Sequence, residues 1–399
     1  MWRGCRTCAT SSCGETPIAD VRALPGIRYD LARAGDLSSL VAPPYDVIPE
    51  AELPRYRALS PYNVIRLTRP GTDYAAAAQS LDEWLRTGIL REDPPAMYVH
   101  EVVFGERRRR DLIAALRLQP YEDRVVLPHE RTHPGPKEDR LALLRATGVS
   151  LEPLWFVYEG GGTELPRLLE GATRGAPVAV FRGPEGTQHQ LWVLTEGKVL
   201  SAIRAAFDTM PVLIADGHHR YETTLLYSRE LGGPADAASR FTLALLTNLA
   251  DPGLEVVPTH RVLKAGIAVT GGDDKTSLEA TLAALRGRVA AGTYRGGRFQ
   301  VLPLEGEMAL VELHRQVIDN MLGKRNPEDF LVYTRDAAEA VRWVDEGVGV
   351  SAFFLDKPDL SEVLKLAREG KILPQKSTYF HPKPPSGMVF HRLDRDRRL

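Results

Sequence analysis

Apolar and polar positions fall into two alternating rhythms along this chain. Period-two runs and short apolar blocks predict strands, and three-to-four spacing predicts helices. Met97 to Phe104 and Asp111 to Leu118 read as strands paired in a hairpin around Gly105 to Arg110. Leu154 to Tyr158, Val178 to Phe181, His189 to Leu194, Phe241 to Thr247 and Leu254 to Pro258 read as further strands. Helical spacing covers Tyr74 to Thr87, where Ala76, Leu81, Trp84 and Leu85 share a side. It returns in Leu141 to Thr147, Val199 to Phe207, Tyr221 to Leu231, Ser277 to Val289 and Leu360 to Glu369. Phe330 to Tyr333, Ala337 to Asp345 and Val348 to Leu355 read as strand, helix, strand. Pro43-Pro44 makes Ser39 to Ile48 an extended segment entering a turn, and Ser60 to Leu67 reads as a turn entering a strand.

This interleaving predicts an α+β (mixed α/β) class, a mixed sheet with flanking helices. The expected organisation is a disordered extension over residues 1–17, then one large domain over 18–395. A division near residue 120 would separate an N-terminal lobe from a phosphate-binding lobe. No internal repeat or clear linker is visible.

Composition narrows the function. The chain has 399 residues, 43% hydrophobic and 26% charged, with a net charge of -1. That balance offers no basic field for nucleic acid or anionic lipid. No apolar stretch approaches the ~20 residues of a membrane span, and no signal-like apolar segment follows Arg3 and Arg6. A cytoplasmic protein is expected. Cys5, Cys8 and Cys13 are its only cysteines. Three thiolates leave a tetrahedral metal site one ligand short, so the reading is a tail rather than a metal knuckle. The run Arg107 to Arg110 is expected at a surface hairpin tip.

The most informative stretch is Pro211 to Glu222. Five mostly aliphatic residues run into Asp216-Gly217, and His218, His219 and Arg220 lead into a helical pattern. A strand ending in a sharp turn and a helix start is where open α/β sheets bind ligands. The helix N-terminus favours an anion such as phosphate, Gly217 lets the backbone approach it, and Arg220 adds a fork of donors. Asp216 is placed to bind Mg²⁺ or accept a proton. The plainer alternative makes Asp216 a helix cap beside two solvated histidines.

A second charge-dense stretch holds His129, Glu130, Arg131, His133, Lys137, Asp139 and Arg140, and suits a substrate or phosphate clamp. His129 to His133 formally matches H-E-x-x-H, but Pro128 and Pro134-Gly135-Pro136 leave room for one helical turn at most. Tyr45-Asp46 after the double proline, Glu222, and His260 at a strand end complete the candidate set. Lys376, Ser377 and Tyr379 offer a further cation and polar groups. P-loop, Rossmann glycine and nucleophile-elbow patterns are absent from the sequence.

Val41-Ala-Pro-Pro-Tyr-Asp-Val-Ile48, Ser60-Pro-Tyr-Asn-Val-Ile65, Leu127-Pro-His-Glu-Arg-Thr132, Lys137 with Asp139-Arg140-Leu141, Ala215 to Glu222 and Lys376-Ser-Thr-Tyr-Phe380 together resemble the bacterial domain-of-unknown-function 1015 family. The resemblance runs from about Ile18 to Leu393. Locally, Asp216-Gly217-His218-His219-Arg220 resembles the D-G-H-x-R turn of the ParB/sulfiredoxin superfamily, which includes free-serine kinases and nucleotide-hydrolysing partition proteins. That resemblance implies phosphate contacts from Gly217, His218 and Arg220, with Asp216 at the reacting centre or metal. The serine kinases' catalytic glutamate does not align, and Glu130 or Asp46 is expected in its place.

The expected activity is phosphoryl transfer from ATP or ADP, with Mg²⁺, to the hydroxyl of a serine-like metabolite. Asp216, Glu130 and Asp46 would serve as acids or bases. Gly217, His218, His219, Arg220, Arg131, Lys137 and Arg140 would hold nucleotide phosphates. His129, Tyr45, Glu222 and His260 would hold the acceptor. The alternatives are a ParB-like nucleotide-binding regulatory module and a metal-dependent hydrolase.

Overall fold

The computed structural model describes residues 19–130, 135–265, 272–323 and 325–399. The expected extension over 1–17, with its cysteines, lies outside the described residues, as do Arg131 and His133.

The fold is mixed α/β, built on a nine-stranded mixed sheet. From one edge its strands are Val126–Leu127, Val212–Asp216, Leu154–Tyr158, Phe241–Asn248, Arg107–Arg117, Met97–Phe104, Gln188–Leu194 and Ala179–Arg182. Val21–Arg22 pairs with the end of Arg107–Arg117. The Val212–Asp216 strand runs parallel to Val126–Leu127 and antiparallel to Leu154–Tyr158.

Side-chain alternation divides the core. Val212, Ile214, Phe156, Tyr158, Leu246 and Leu112 face one way, packed by Leu165, Leu169, Ile203, Phe207 and Tyr221 from three helices. Leu213, Trp155, Val157, Leu245 and Ile113 face the other way, covered by the N-terminal helical segments and by Phe380, Val389 and Phe390. Each such large side chain contributes roughly 1.5–3 kcal/mol on burial.

A separate six-stranded sheet is antiparallel throughout: Asp273–Lys275, Arg298–Pro303, Ala290–Arg295, Ser351–Phe354, His260–Leu263, Leu331–Thr334. Helices Leu278–Leu285 and Ala337–Asp345 pack on one of its faces. Its other face, with Leu263, Phe353 and Ala291, merges into the large sheet's second core. Among the described residues no helix is long and apolar enough to cross a membrane.

The structure corrects several expectations. Ser60 to Leu67 leads into a helix, Ile65–Thr68, rather than a strand. Asn63 explains this: its side chain accepts from the Ile65 N–H and donates to the carbonyls of Ser39 and Val41. The helix expected from Leu141 begins at Gly135. Pro136 sits in its first turn, where a missing N–H costs nothing. The hairpin turn is tighter than expected, so Arg107 to Arg110 are strand residues, and Arg109 is fully buried. His260 does not end the preceding strand but opens one in the second sheet.

A C-terminal strap over residues 373–386 is gripped from several sides. The Leu373 N–H donates to the His129 carbonyl, Tyr379–His381 pairs with Glu255–Val257, and Ser386 bridges Ala42.

Candidate functional site

The Val212–Asp216 strand ends at Gly217, and the helix His218–Leu231 starts at once. Gly217 has a φ of 101°, a left-handed conformation open to glycine. A Cβ there would lie 2.9 Å from Leu154 Cδ2, so the turn also lacks space for one. No side chain caps the helix. Its first N–H groups and positive dipole end therefore face the site without a resident carboxylate cap.

Asp216 stands at the centre. Its Oδ2 accepts from Arg220 Nη2 at 2.6 Å and its Oδ1 from Lys383 Nζ at 2.5 Å. Lys383 also lies 3.5 Å from Asp46 Oδ2, so one ammonium bridges two carboxylates. Burial opposes ionisation of Asp216, but Lys383 and Arg220 outweigh it and hold the carboxyl well below its usual range. For Lys383, burial is likewise outweighed by Asp216 and Asp46, and its pKa is raised. Arg220 is fixed further by the Pro153 carbonyl at 3.1 Å and by Glu152 at 3.9 Å.

The double proline delivers Asp46 as expected. Residues Tyr45–Val47 form one 3-10 turn, with the Tyr45 N–H donating to Glu152 Oε1 at 2.9 Å. Arg69 Nη1 donates to the Tyr45 carbonyl at 2.6 Å, and the Arg140 guanidinium lies 4.1 Å over the Tyr45 ring. Burial pushes the Tyr45 hydroxyl up to about 12, so it acts as a neutral donor. Arg140 and Arg220 line one small cavity of about 40 Å³ with Glu152, too small for a phosphate group.

His218 Nε2 accepts the His129 N–H at 3.3 Å, which leaves the His218 proton on Nδ1. Burial, then the neighbouring His129, push its pKa well below the usual value, so it offers an N–H rather than a charge. His129 is sealed, its Nε2 2.7 Å from Thr378 Oγ1. Glu130 Oε1 accepts the N–H groups of Ser377 and Thr378 at 2.8 and 3.2 Å. It holds the strap in place, a role the sequence did not suggest. His219 is half-buried on the first helical turn.

Three expected members are engaged elsewhere. Lys137 and Glu222 pair with each other, and Tyr121 adds a contact to Glu222 at 3.4 Å. His260 packs against Phe354 at 5.6 Å between ring centres, inside the second sheet. Its strand belongs to a different sheet from Asp216, which is the physical reason the two do not share an edge.

Sequence reasoning missed Lys383, Glu152 and Arg109. Lys383 carried a signal: a lone lysine between Pro382 and Pro384-Pro385, just past the motif ending at Phe380. Arg109 reaches the same strap from the large sheet. Its Nη1 donates to the carbonyls of His381 and Pro382 at 3.2 and 3.1 Å, and its guanidinium stacks 4.2 Å over Trp155. From the second sheet, buried Arg261 donates to the Lys376 carbonyl at 3.0 Å. The strap presenting Lys383 is thus stapled by two buried arginines and Glu130.

Arg109 belongs to a second polar network. Asp111 takes Arg109 Nε at 3.0 Å, His100 Nδ1 at 2.9 Å and Thr247 Oγ1 at 2.5 Å. His100 Nε2 meets His189 Nδ1 at 2.8 Å. All of these side chains are buried.

Known proteins offer little chemistry to carry over. No curated protein matches the chain. A conserved hypothetical protein from Pyrococcus furiosus is similar at 16% identity and a TM-score of 0.36, over 67% of this chain and 92% of that one. A free serine kinase in complex with AMP is similar at 17% identity and a TM-score of 0.39, over 69% and 90%. SbnI with a C-terminal truncation, from Staphylococcus aureus, is similar at 12% identity and a TM-score of 0.39, over 71% and 90%. A family described as a protein of unknown function, DUF1015, matches residues 21–358, the span that holds Asp46, Asp216 and Arg220, and the chain belongs to that family.

Proposed function

We propose that the protein is a nucleotide-dependent kinase that transfers a phosphoryl group from ATP or ADP to the hydroxyl of a small, serine-like metabolite. The observation carrying this reading is Lys383 bridging Asp216 and Asp46 beside an uncapped helix N-terminus and Arg220. Phosphoryl transfer needs positioned cations and an acceptor for one proton, and little else from the protein.

In this reading nucleotide phosphates compete with Asp216 for Lys383 and accept from the uncapped N–H groups at the start of His218–Leu231. Withdrawing Lys383 removes the main charge depressing the Asp216 pKa, so Asp216 becomes a better base as the nucleotide binds. The acceptor oxygen then bonds to the terminal phosphorus, and the bond from phosphorus to the bridging oxygen breaks. The nucleotide leaves one phosphate shorter, and the hydroxyl proton passes to Asp216. Asp46 orients the acceptor hydroxyl from the opposite side of Lys383.

In this reading Mg²⁺ arrives with the nucleotide. Among the described residues no three His, Cys, Asp or Glu side chains converge to hold a metal, and both Asp216 oxygens are engaged by cations. Mg²⁺ belongs with the incoming phosphates, as is common for this ion.

The test is calorimetric titration of ATP and ADP with Mg²⁺, followed by phosphorus NMR with a panel of hydroxyl metabolites. Saturable nucleotide binding and a new phosphate-ester signal are expected. A protein that binds neither nucleotide does not perform this reaction.

A further inference from the structure

Beside Asp46 and Lys383 opens a cleft of about 620 Å³, large enough for a small metabolite. Lys383, Tyr379, Arg182 and Arg335 line it, Lys383 largely buried and the two arginines exposed. The Tyr379 ring holds the Arg335 guanidinium at 4.3 Å and the Lys383 ammonium at 5.4 Å. Among the described residues the Arg182 side chain has no carboxylate partner. Arg335 lies 3.4 Å from Glu185 in a pair exposed on both sides. Arg55, the remaining cation of the lining, pairs with Glu52 in a similarly exposed contact. Exposed pairs contribute roughly 0–1 kcal/mol, so a bound anion can displace one at little cost. The four cations of the lining outnumber its two glutamates, and among the described residues neither Arg182 nor Arg335 pairs with Asp46 or Asp216.

We infer that this cleft takes the acceptor and that the acceptor is an acidic hydroxy compound, its carboxylate or phosphate held by Arg182 and Arg335. The inference rests on the kinase reading for the direction of the hydroxyl, which points inward to Asp46 and Asp216. Arginine suits this role because its planar fork matches both kinds of acidic group. A neutral acceptor of the same size would leave Arg182 without a counter-charge.

The test is isothermal titration of the full-length chain with glycerate, glycerol 3-phosphate and glycerol, with ATP and ADP titrated separately. The two acidic probes should bind saturably and glycerol should not. Whichever acid binds more tightly identifies carboxylate or phosphate as the preferred group. Arg182→Gln and Arg335→Gln should each weaken the acidic probe roughly tenfold, the loss of one charge-assisted contact, and leave nucleotide affinity unchanged. Both side chains are exposed, so the variants should keep the wild-type thermal transition. Glycerol binding as well as the acids, neither acid binding, or both variants matching wild type would overturn the acidic-acceptor assignment. Nucleotide binding that persists in those cases leaves the kinase reading intact. Acid binding without any nucleotide binding would remove the kinase reading and keep the anion cleft.

Discussion

Asp111 and Asp216 are both held by arginine, yet their surroundings differ. Asp111 lies in the middle of the large sheet, its side chain fully buried among Arg109, His100 and Thr247. Asp216 lies at a strand end, partly exposed, with Arg220 one helical turn away and Lys383 leading to an open cleft. Both carboxyls are held below their usual range: burial opposes this in each case, and neighbouring cations prevail. Charge pairing by itself therefore does not distinguish the proposed site from a structural cluster. Access does. The Asp111 cluster touches the strap from inside the core, whereas the Lys383 partner of Asp216 lines the open cleft.

The sharpest way to break this comparison is to neutralise each aspartate. Asp111→Asn should cost about 3–5 kcal/mol in urea unfolding, because Arg109 would stay buried without its counter-charge. Asp216→Asn should cost clearly less stability, since Lys383 can recover water through the cleft and Arg220 keeps Glu152 and the Pro153 carbonyl. Its phosphoryl transfer should instead fall roughly a hundred- to a thousandfold, the scale of a lost general base. If the two variants lose similar stability and Asp216→Asn stays active, the two regions are alike.

A smaller effect follows from geometry at Arg220. Arg220→Lys keeps the charge but loses the fork that spans Asp216 and the Pro153 carbonyl. Nucleotide affinity should drop roughly tenfold by calorimetry. Unchanged affinity would place the phosphates elsewhere.

Acid sharpens the comparison further. His189 in the sealed network and His218 in the site both have pKa values pushed well below normal, by burial first. His260 and His391 are pushed down to about 4, again by burial. A histidine with a depressed folded pKa takes up its proton on unfolding, so its neutral form stabilises the fold above about pH 6.5. That stability is lost as pH falls from about 6.5 toward the folded value. The slope should reach about 1.4 kcal/mol per pH unit for each such histidine. His189→Gln and His218→Gln should each flatten it by up to one such increment, and His218→Gln should also change nucleotide affinity.

How much of this was legible in sequence follows from distance along the chain. Asp216 and Arg220 are four residues apart, and the strand, turn and helix that frame them are local. The mixed fold and the Tyr45-Asp46 turn were legible for the same reason. Lys383 is 167 residues from Asp216, and no local pattern ties the two together. Glu130 looked like an available acid because the amides it holds are 247 and 248 residues away. Arg109 was misread because a run of four arginines suggests a solvated tip. The strand pleat turns one of them into the core, where Trp155, Asp111 and two strap carbonyls receive it. The second sheet was seen as separate strands and helices, but its independence from the first depends on pairings that periodicity does not encode.

The late position of Lys383 has a consequence for synthesis. A ribosome releases Asp216 and Arg220 well before the strap exists. At about 5–20 residues per second, the 167 residues between Asp216 and Lys383 take roughly ten to thirty seconds. Through that interval the nascent chain carries an aspartate paired with arginine but without the lysine that bridges it to Asp46. On the proposed reading, the lysine that joins Asp216 to Asp46 reaches the site only with the strap, so the complete set of charges waits for the end of the chain.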